Sequence, residues 1–284
     1  MLDFGRILSG FFQALKILRH ERPQVLFSKG GYVSVPVAYA AYLLKIPIIT
    51  HESDLLPGLA TKLIAKVARQ VCVSFPETLK FFPRHGVLTG NPVRAEIKQG
   101  DAARAYKLSG LQESLPTVLI MGGSLGAKSI NDAVLAILPR LLKLTQVVHI
   151  TGTGHKLPYQ APGYFQREFL LNELKDLYQI ADLVIGRAGA NSIAELATLG
   201  KACLFVPLGP PASRGEQLSN AELLRAAGAA VVLPQAELTP DRLLQEIQDL
   251  LGDEQKLAEL GEKIAKFARP EATREIAKIL NSEF

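Results

Sequence analysis

Tryptophan is absent from this 284-residue sequence, and cysteine and methionine occur only twice each. Two cysteines far apart, Cys72 and Cys203, exclude a disulfide framework and a cysteine-based metal knuckle. Each lies in an apolar, strand-like run, Val71-Cys72-Val73 or Ala202-Cys203-Leu204-Phe205-Val206, the usual place of a buried free thiol in a reducing compartment. Long apolar runs are also missing. None approaches the roughly 20 residues that cross a bilayer, and the opening residues lack the pattern of a secretory signal. Short repeats are missing too, and with 48% apolar residues the chain is neither disordered nor fibrous. The composition is that of a soluble cytosolic protein.

Acidic charge is scarce at the front. Residues 1–95 hold twelve Lys/Arg against five Asp/Glu, and residues 96–284 hold twenty against twenty-two. A basic first third points to an acidic surface or ligand. The basic residues are scattered, with no nucleic-acid-binding signature, so nucleic acid is not expected as a partner. An anionic membrane surface fits the charge at least as well.

Short β-branched runs alternate with helical patterns. Val25–Phe27, Ile46–Thr50 and Val71–Val73 read as strands in the first part. Val118–Met121, Val147–Ile150, Leu183–Ile185, Leu204–Val206 and Ala230–Leu233 do so in the second. Near-continuous apolar strands separated by helices mark parallel sheets covered on both faces, so the fold class is α/β. Gly200 is read as the stop of a helix, and Thr239-Pro240 as the start of one running to Leu251. The turn-rich Gly90-Asn91-Pro92-Val93-Arg94 and a polar helical stretch, Ala95–Leu108, set a boundary between domains 1–95 and 96–284. The second sheet reads as a complete set of five strands. The first has about three, few for a doubly wound sheet.

Loops at the carboxyl ends of strands carry the chemistry. One is Gly122-Gly123-Ser124-Leu125-Gly126-Ala127-Lys128, where glycines permit close approach of a ligand and a helix N-terminus directs N–H groups at an anion. Its spacing fits neither the dinucleotide fingerprint nor the ATP-binding P-loop. A second is Gly186-Arg187-Ala188-Gly189-Ala190-Asn191-Ser192, followed by a helix with Glu195 placed in its first turn. Two such turns in one sheet favour a diphosphate site. Glu195 either complements the helix dipole or accepts the hydroxyls of a ribose. A third loop runs from Pro207 through Arg214-Gly215-Glu216-Gln217 to a helix Ala221–Ala227, with amides and carboxylates suited to sugar hydroxyls. In the first part, Lys29-Gly30-Gly31-Tyr32 and His51-Glu52-Ser53-Asp54 each follow a strand. His51 either supplies a general base or simply caps the strand end. No zinc spacing occurs, and no metal site is assigned.

Taken together, Ser28-Lys29-Gly30-Gly31-Tyr32-Val33-Ser34-Val35-Pro36, His51-Glu52-Ser53-Asp54 with Pro57-Gly58-Leu59, and Gly90-Asn91-Pro92-Val93-Arg94 form a recognisable set. Gly122–Ala127, Arg187–Ser192 through Glu195, and Ala212-Ser213-Arg214-Gly215-Glu216-Gln217 with Asn220 extend it in order along the chain. The set resembles the MurG-type glycosyltransferases of peptidoglycan synthesis. That resemblance implies the GT-B fold, two Rossmann-like parallel-sheet domains facing a cleft, with the terminal helix packing back on the N-terminal domain. It implies inverting transfer of N-acetylglucosamine from UDP-N-acetylglucosamine to lipid I, giving lipid II. The enzyme would be peripheral on the cytoplasmic side of the cell membrane, without a cofactor, the UDP-sugar being a substrate.

By matching positions, the resemblance places Ser124, Ala190, Asn191 and Ser192 at the donor diphosphate, with Gly122, Gly123, Gly126 and Gly189 shaping its loops. It places Glu195 at the ribose, the Leu171 backbone at the uracil, and Arg94 and Gln217 as further donor contacts. Gly30, Gly31 and Tyr32 fall on the acceptor side. Asp54 and Glu216 replace amides found in part of the family and agree with a branch that also carries Ser-Lys-Gly-Gly. The family opens with a strand and a Gly-Gly-x-Gly-Gly-His loop bearing a candidate base, which this sequence does not contain. The N-terminal domain is therefore expected to be incomplete, its leading segment lost with a misplaced start or supplied by a separate chain. His51 with Asp54 is then the nearest candidate for the base. An inactive UDP-sugar-binding module and another GT-B enzyme, such as a UDP-sugar epimerase, stand as alternatives.

The stretch Phe4–His20 sets Phe4, Ile7, Leu8, Phe11, Phe12, Leu15 and Leu18 among Arg6, Lys16 and Arg19. It reads either as a core helix or as a basic amphipathic helix facing an anionic inner membrane surface.

Overall fold

The computed structural model describes residues 2–123, 125–210 and 213–282, with side chains from Gly5 onward. The chain divides into two compact units, Met1–Pro92 with Arg269–Phe284, and Val93–Ala268. The division falls at Pro92, slightly before the boundary read from the sequence.

The first unit is built on a parallel sheet of four strands in the order β1 (Leu26–Ser28), β2 (Ile48–Glu52), β3 (Gln70–Val73), β4 (Gly86–Leu88). Helices α1 (Leu2–Glu21), α2 (Ser34–Leu43) and α3 (Leu59–Ala65) accompany it. Alternate residues of a strand point to opposite faces, and β2 uses both. Ile48 packs with Ala14 and Leu18 of α1, Ala38 and Ala41 of α2, and Ile64 of α3. Ile49 packs with Cys72 and with Ile276, from the helix Ala272–Asn281 (α11 when the helices are numbered along the chain). Strand β4 was not read from the sequence. It is three residues long, opens on glycine and pairs on one side only, so Val87-Leu88 is all the apolar signal it has.

The second unit holds a parallel sheet of six strands, β5 (Thr117–Met121), β6 (Gln146–Ile150), β7 (Tyr164–Arg167), β8 (Leu183–Gly186), β9 (Cys203–Phe205) and β10 (Val231–Val232), in the order β10-β9-β8-β5-β6-β7. Counted within the unit this is 6-5-4-1-2-3, the doubly wound order whose direction switches between β5 and β8. The expected five strands are thus corrected to six. Strand β7 escaped notice because, at the sheet edge, Gln166 and Arg167 break its apolar run. The helices are α4 (Ala102–Ser109), α5 (Lys128–Leu141), α6 (Leu174–Ile180), α7 (Ala190–Leu199), α8 (Glu216–Ala226), α9 (Pro240–Leu251) and α10 (Glu254–Ala265). Val118, Ile120, Val134, Ile137, Leu204 and Ile247 belong to the core they form with the sheet. Both cysteines are buried and free.

Helix ends follow the local chemistry. Gly200 closes α7 with φ 62°, and Thr239 Oγ1 accepts the Arg242 N–H at 3.2 Å to open α9. Three expectations are corrected. The stretch 95–108 is not one helix, because a 3-10 turn, Ala95–Gln99, ends at Gly100 and Asp101 caps α4 by accepting the Arg104 N–H at 2.8 Å. Helix α8 starts at Glu216 and not at Ala221, so Glu216 and Gln217 lie in its first turn. Helix α7 starts at Ala190, which moves Glu195 into the second turn.

A buried polar network ties β6 to α5. His149 is fully buried, with Nε2 3.1 Å from Asn131 Oδ1 and Nδ1 3.1 Å from the Tyr164 hydroxyl. The Asn131 amide donates to the Thr151 carbonyl at 2.8 Å, which leaves its Oδ1 as the acceptor for a protonated Nε2. Burial lowers the imidazole pKa from 6.5 to about 4, so the ring stays neutral in the folded chain. Between those values the unfolded chain binds the extra proton. This contribution to stability is complete above about pH 6.5 and is lost as pH falls toward 4. The expected outcome for His149→Gln is a shallower fall of the unfolding midpoint between pH 6.5 and 4 than in the parent. Identical slopes would show that His149 is not the group responsible.

Candidate active site

The carboxyl ends of β5 and β8 are neighbours in the sheet, and each leads into a helix whose N-cap residue, Ala127 or Gly189, makes no side-chain capping bond. The first-turn N–H groups and positive ends of α5 and α7 are therefore carried by adjacent strand ends, where open α/β sheets take their ligands. After β5, Gly123 has φ +81° and no atom within 4 Å of where a Cβ would stand, whereas a Cβ on Gly122 would meet the Ala127 nitrogen. Gly126, φ +74°, lies against Gly152, the backbone of the loop after β6. A Cβ on Gly152 would stand 2.2 Å from the Gly126 Cα, so only glycines allow these two loops to touch. Ser124 lies outside the described residues. After β8, Gly189 faces open space, and Ala190, Asn191 and Ser192 form the first turn of α7.

Three residues expected at a donor nucleotide converge from distant parts of the chain. The Arg94 guanidinium donates from Nη1 to the Leu171 carbonyl at 3.4 Å, and its Nη2 lies 3.8 Å from Glu195 Oε1. Glu195 Oε2 accepts the Tyr178 hydroxyl at 3.3 Å. Burial raises the Glu195 pKa, and Arg94 and the Tyr178 hydrogen bond oppose that rise. Leu171 itself is exposed.

Sequence reasoning did not assign Arg187, which donates to the Val206 carbonyl at 2.8 Å and to Ser129 Oγ at 2.9 Å. Burial lowers its pKa from the ordinary arginine value, and both contacts are to neutral atoms. Ser129 in turn donates to Gln235 Oε1 at 3.2 Å. Asn220, fully buried, donates to the Ala188 carbonyl at 3.2 Å and so fixes the turn before Gly189. Gln217 Oε1 accepts the Leu208 N–H at 3.0 Å, and Glu216 Oε2 is a buried oxygen without a hydrogen-bond partner among the described residues. The position of Arg187 directly after a strand is the signal that would have singled it out. A cavity of about 830 Å³ lies instead at the amino ends of β5, β8 and β9. Its Lys201 is committed to the Ala181 carbonyl at 2.8 Å, and strand amino ends are not where such sheets bind ligands.

In the first unit, the Lys29 ammonium donates to His51 Nδ1 at 2.9 Å, Ser53 Oγ at 2.9 Å and Asn91 Oδ1 at 3.1 Å. His51 is fully buried, and its Nε2 donates to the Gly90 carbonyl at 2.9 Å. Burial, and then the Lys29 charge, lower its pKa to about 4. The proposed base role for His51 does not fit this geometry: both ring nitrogens are engaged and the ring is sealed from solvent. His51 instead holds Lys29. Asp54 is half-buried, while Glu52 accepts the N–H groups of Asp54 and Gly58 at 3.2 and 3.0 Å. Gly30 and Gly31 turn the chain with φ +80° and +86°, and Tyr32 beside them is 80% exposed. Among the described residues no three His, Cys, Asp or Glu side chains are grouped to hold a metal ion.

Residues 117–276 match the glycosyltransferase family 28 C-terminal domain, and residues 1–73 match the glycosyltransferase family 28 N-terminal domain. The chain is 42% identical over 283 residues to the UDP-N-acetylglucosamine--N-acetylmuramyl-(pentapeptide) pyrophosphoryl-undecaprenol N-acetylglucosamine transferase of Lachnospira eligens, covering 98% of this chain and 78% of that one. It is 43% identical over 257 residues to the protein of the same name from Clostridium perfringens, covering 89% and 72%. The crystal structure of Acinetobacter baumannii MurG superposes with a TM-score of 0.75 at 31% identity, over 98% of this chain and 80% of that one. A UDP-GlcNAc 2-epimerase from Neisseria meningitidis also gives 0.75, over 97% and 81%, but at 13% identity this shows a shared fold alone.

Replacing Lys29 by methionine removes the charge that helps hold His51 neutral and leaves Nδ1 only the longer contact with the Ser53 hydroxyl, at 3.3 Å. The expected result is a His51 pKa above about 4 in an NMR titration, with stability lowered by about 1–3 kcal/mol. An unmoved His51 titration would show that the two residues are not coupled.

Proposed function

The chain belongs to glycosyltransferase family 28, and on that footing we propose that it transfers N-acetylglucosamine from UDP-N-acetylglucosamine to the 4-hydroxyl of N-acetylmuramic acid in lipid I, forming lipid II. The observation that carries this reading is the convergence of Arg94 and Leu171 on Glu195 of α7, the helix that begins after Gly189. In it, the uracil lies against the Leu171 backbone and the ribose hydroxyls bond to Glu195. The diphosphate spans the first turn of α7 (Ala190, Asn191, Ser192) and the loop holding Gly122, Gly123, Ser124 and Gly126. Gln217, and the buried Oε2 of Glu216, serve the sugar hydroxyls.

The chemistry is displacement at the anomeric carbon. A bond forms from the acceptor oxygen as the bond to UDP breaks, and the departing diphosphate gains negative charge. The positive ends of α5 and α7 and the Arg187 guanidinium would stabilise that charge without reorganising. A general base takes the hydroxyl proton. Asp54, half open to solvent where His51 is enclosed, is the first unit's candidate for this. No metal or other cofactor is assigned a part.

On the acceptor side, the Gly30-Gly31-Tyr32 turn would meet lipid I, with the Lys29 charge behind it. No helix of the described residues is long and apolar enough to cross a membrane. Helix α1 divides its apolar residues. Ala14 and Leu18 are buried in the first unit, while Ile7, Leu8 and Phe12 are exposed, Phe12 by 65%, beside the exposed Arg6 and Lys16. The Phe4 side chain lies outside those described. This outer face suits an anionic inner membrane surface, and the reading places the protein as a peripheral member of the cytoplasmic side.

The test is transfer of radiolabelled N-acetylglucosamine to a lipid I analogue by the purified protein. Activity is expected, and Glu195→Ala should raise the donor KM by about 10- to 100-fold, the loss of hydrogen bonds to a charged acceptor, with a smaller change in kcat. Release of free N-acetylmannosamine without transfer would replace this reading with an epimerase.

A further inference from the structure

We propose that Tyr178 is a positioning residue of the donor site, holding the Glu195 carboxylate in the orientation that leaves its second oxygen for the ribose of a uridine nucleotide. This rests on the reading of Glu195 as the ribose-binding group. Tyr178 lies on α6 and is fully buried. For packing alone phenylalanine would serve there, and a hydroxyl buried without a hydrogen bond is destabilising. The hydroxyl has two acceptors in reach, Glu195 Oε2 at 3.3 Å and the Met121 thioether at 3.4 Å. A carboxylate is much the stronger acceptor and takes the hydrogen.

The consequence is geometric. Glu195 projects from the second turn of α7 on a side chain with several rotatable bonds, and an unrestrained carboxylate would sample many orientations. One oxygen is fixed by Tyr178, so the other, Oε1, faces Arg94. A diol needs both of its hydroxyls met at defined places, and a carboxylate pinned in advance meets them with less ordering on binding. Met121 is the last residue of β5, immediately before Gly122, so the same hydroxyl lies between the ribose carboxylate and the root of the diphosphate loop. Burial and the adjacent carboxylate keep the phenol far above its usual pKa, so it remains a donor throughout the working range of pH. Its hydrogen bond also favours the ionised form of Glu195 against the upward push of burial.

Calorimetry with UDP and with 2′,3′-dideoxy-UDP separates this role from a structural one, using the parent chain, Tyr178→Phe, Glu195→Ala and the double variant. Tyr178→Phe is expected to weaken UDP by about 3- to 10-fold, the worth of one long hydrogen bond to a charged group, and to leave dideoxy-UDP within about twofold. The acid limb of UDP affinity should move to higher pH. The double variant should bind UDP no more weakly than Glu195→Ala, because Tyr178 acts through that carboxylate. Equal weakening of both nucleotides by Tyr178→Phe, or no change in either, would overturn the proposal. If Glu195→Ala distinguishes UDP from dideoxy-UDP while Tyr178→Phe does not, the positioning role fails and the ribose reading stands. If Glu195→Ala does not distinguish them, the ribose reading fails and takes this inference with it.

Discussion

Helices α5 and α7 begin after Ala127 and Gly189, residues with no side chain able to cap them, and everything proposed for the second unit depends on where that places their positive ends. The strand order brings β5 and β8 side by side, so two helix N-termini share one edge of the sheet. Partial positive charge accumulates there, and an anion with several acceptor oxygens suits it. The glycines follow from the same constraint. Gly126 and Gly152 let two loops touch backbone to backbone, and Gly123 and Gly189 leave space where a side chain would otherwise stand.

Both units also keep a cation among neutral partners at the carboxyl end of a sheet. Arg187 is held by a carbonyl and a hydroxyl, and Lys29 by an imidazole, a hydroxyl and an amide. Held this way, each side chain is oriented by neutral contacts, although the charges of Glu52 and Asp54 still favour the Lys29 cation. Burial lowers the pKa of each, the expected cost of desolvating a cation, and an approaching anion would reverse that cost. The acidic residues are used differently. Glu52 binds two backbone N–H groups of its own loop, and Glu195 is fastened by a tyrosine with one oxygen facing Arg94.

The sequence made the class of the fold legible because central parallel strands are buried on both faces and show as continuous apolar runs. An edge strand is free of that demand, and β4 and β7 were lost for that reason. The turns after β5 and β8 were legible because glycine clustered directly behind an apolar strand marks backbone that must bend sharply or admit a close neighbour. The partners of Glu195 were not, since Arg94, Leu171 and Tyr178 reach it from three separate segments and no spacing encodes that meeting. The resemblance named Arg94 and Leu171 but said nothing of Tyr178, which in a linear reading is one more apolar position of α6. The burial of His51 was equally hidden. A histidine at a strand end reads as chemistry until the lysine on one nitrogen and the carbonyl on the other are seen.

Thermal unfolding with added UDP, compared with uridine at the same concentrations, reaches the central claim most directly. A diphosphate gripped by the starts of α5 and α7 raises the midpoint through mass action, whereas uridine, offering only base and ribose, raises it far less. Equal shifts with both compounds, or no shift with UDP, would contradict the account, because the helix N-termini would then be contributing nothing to binding.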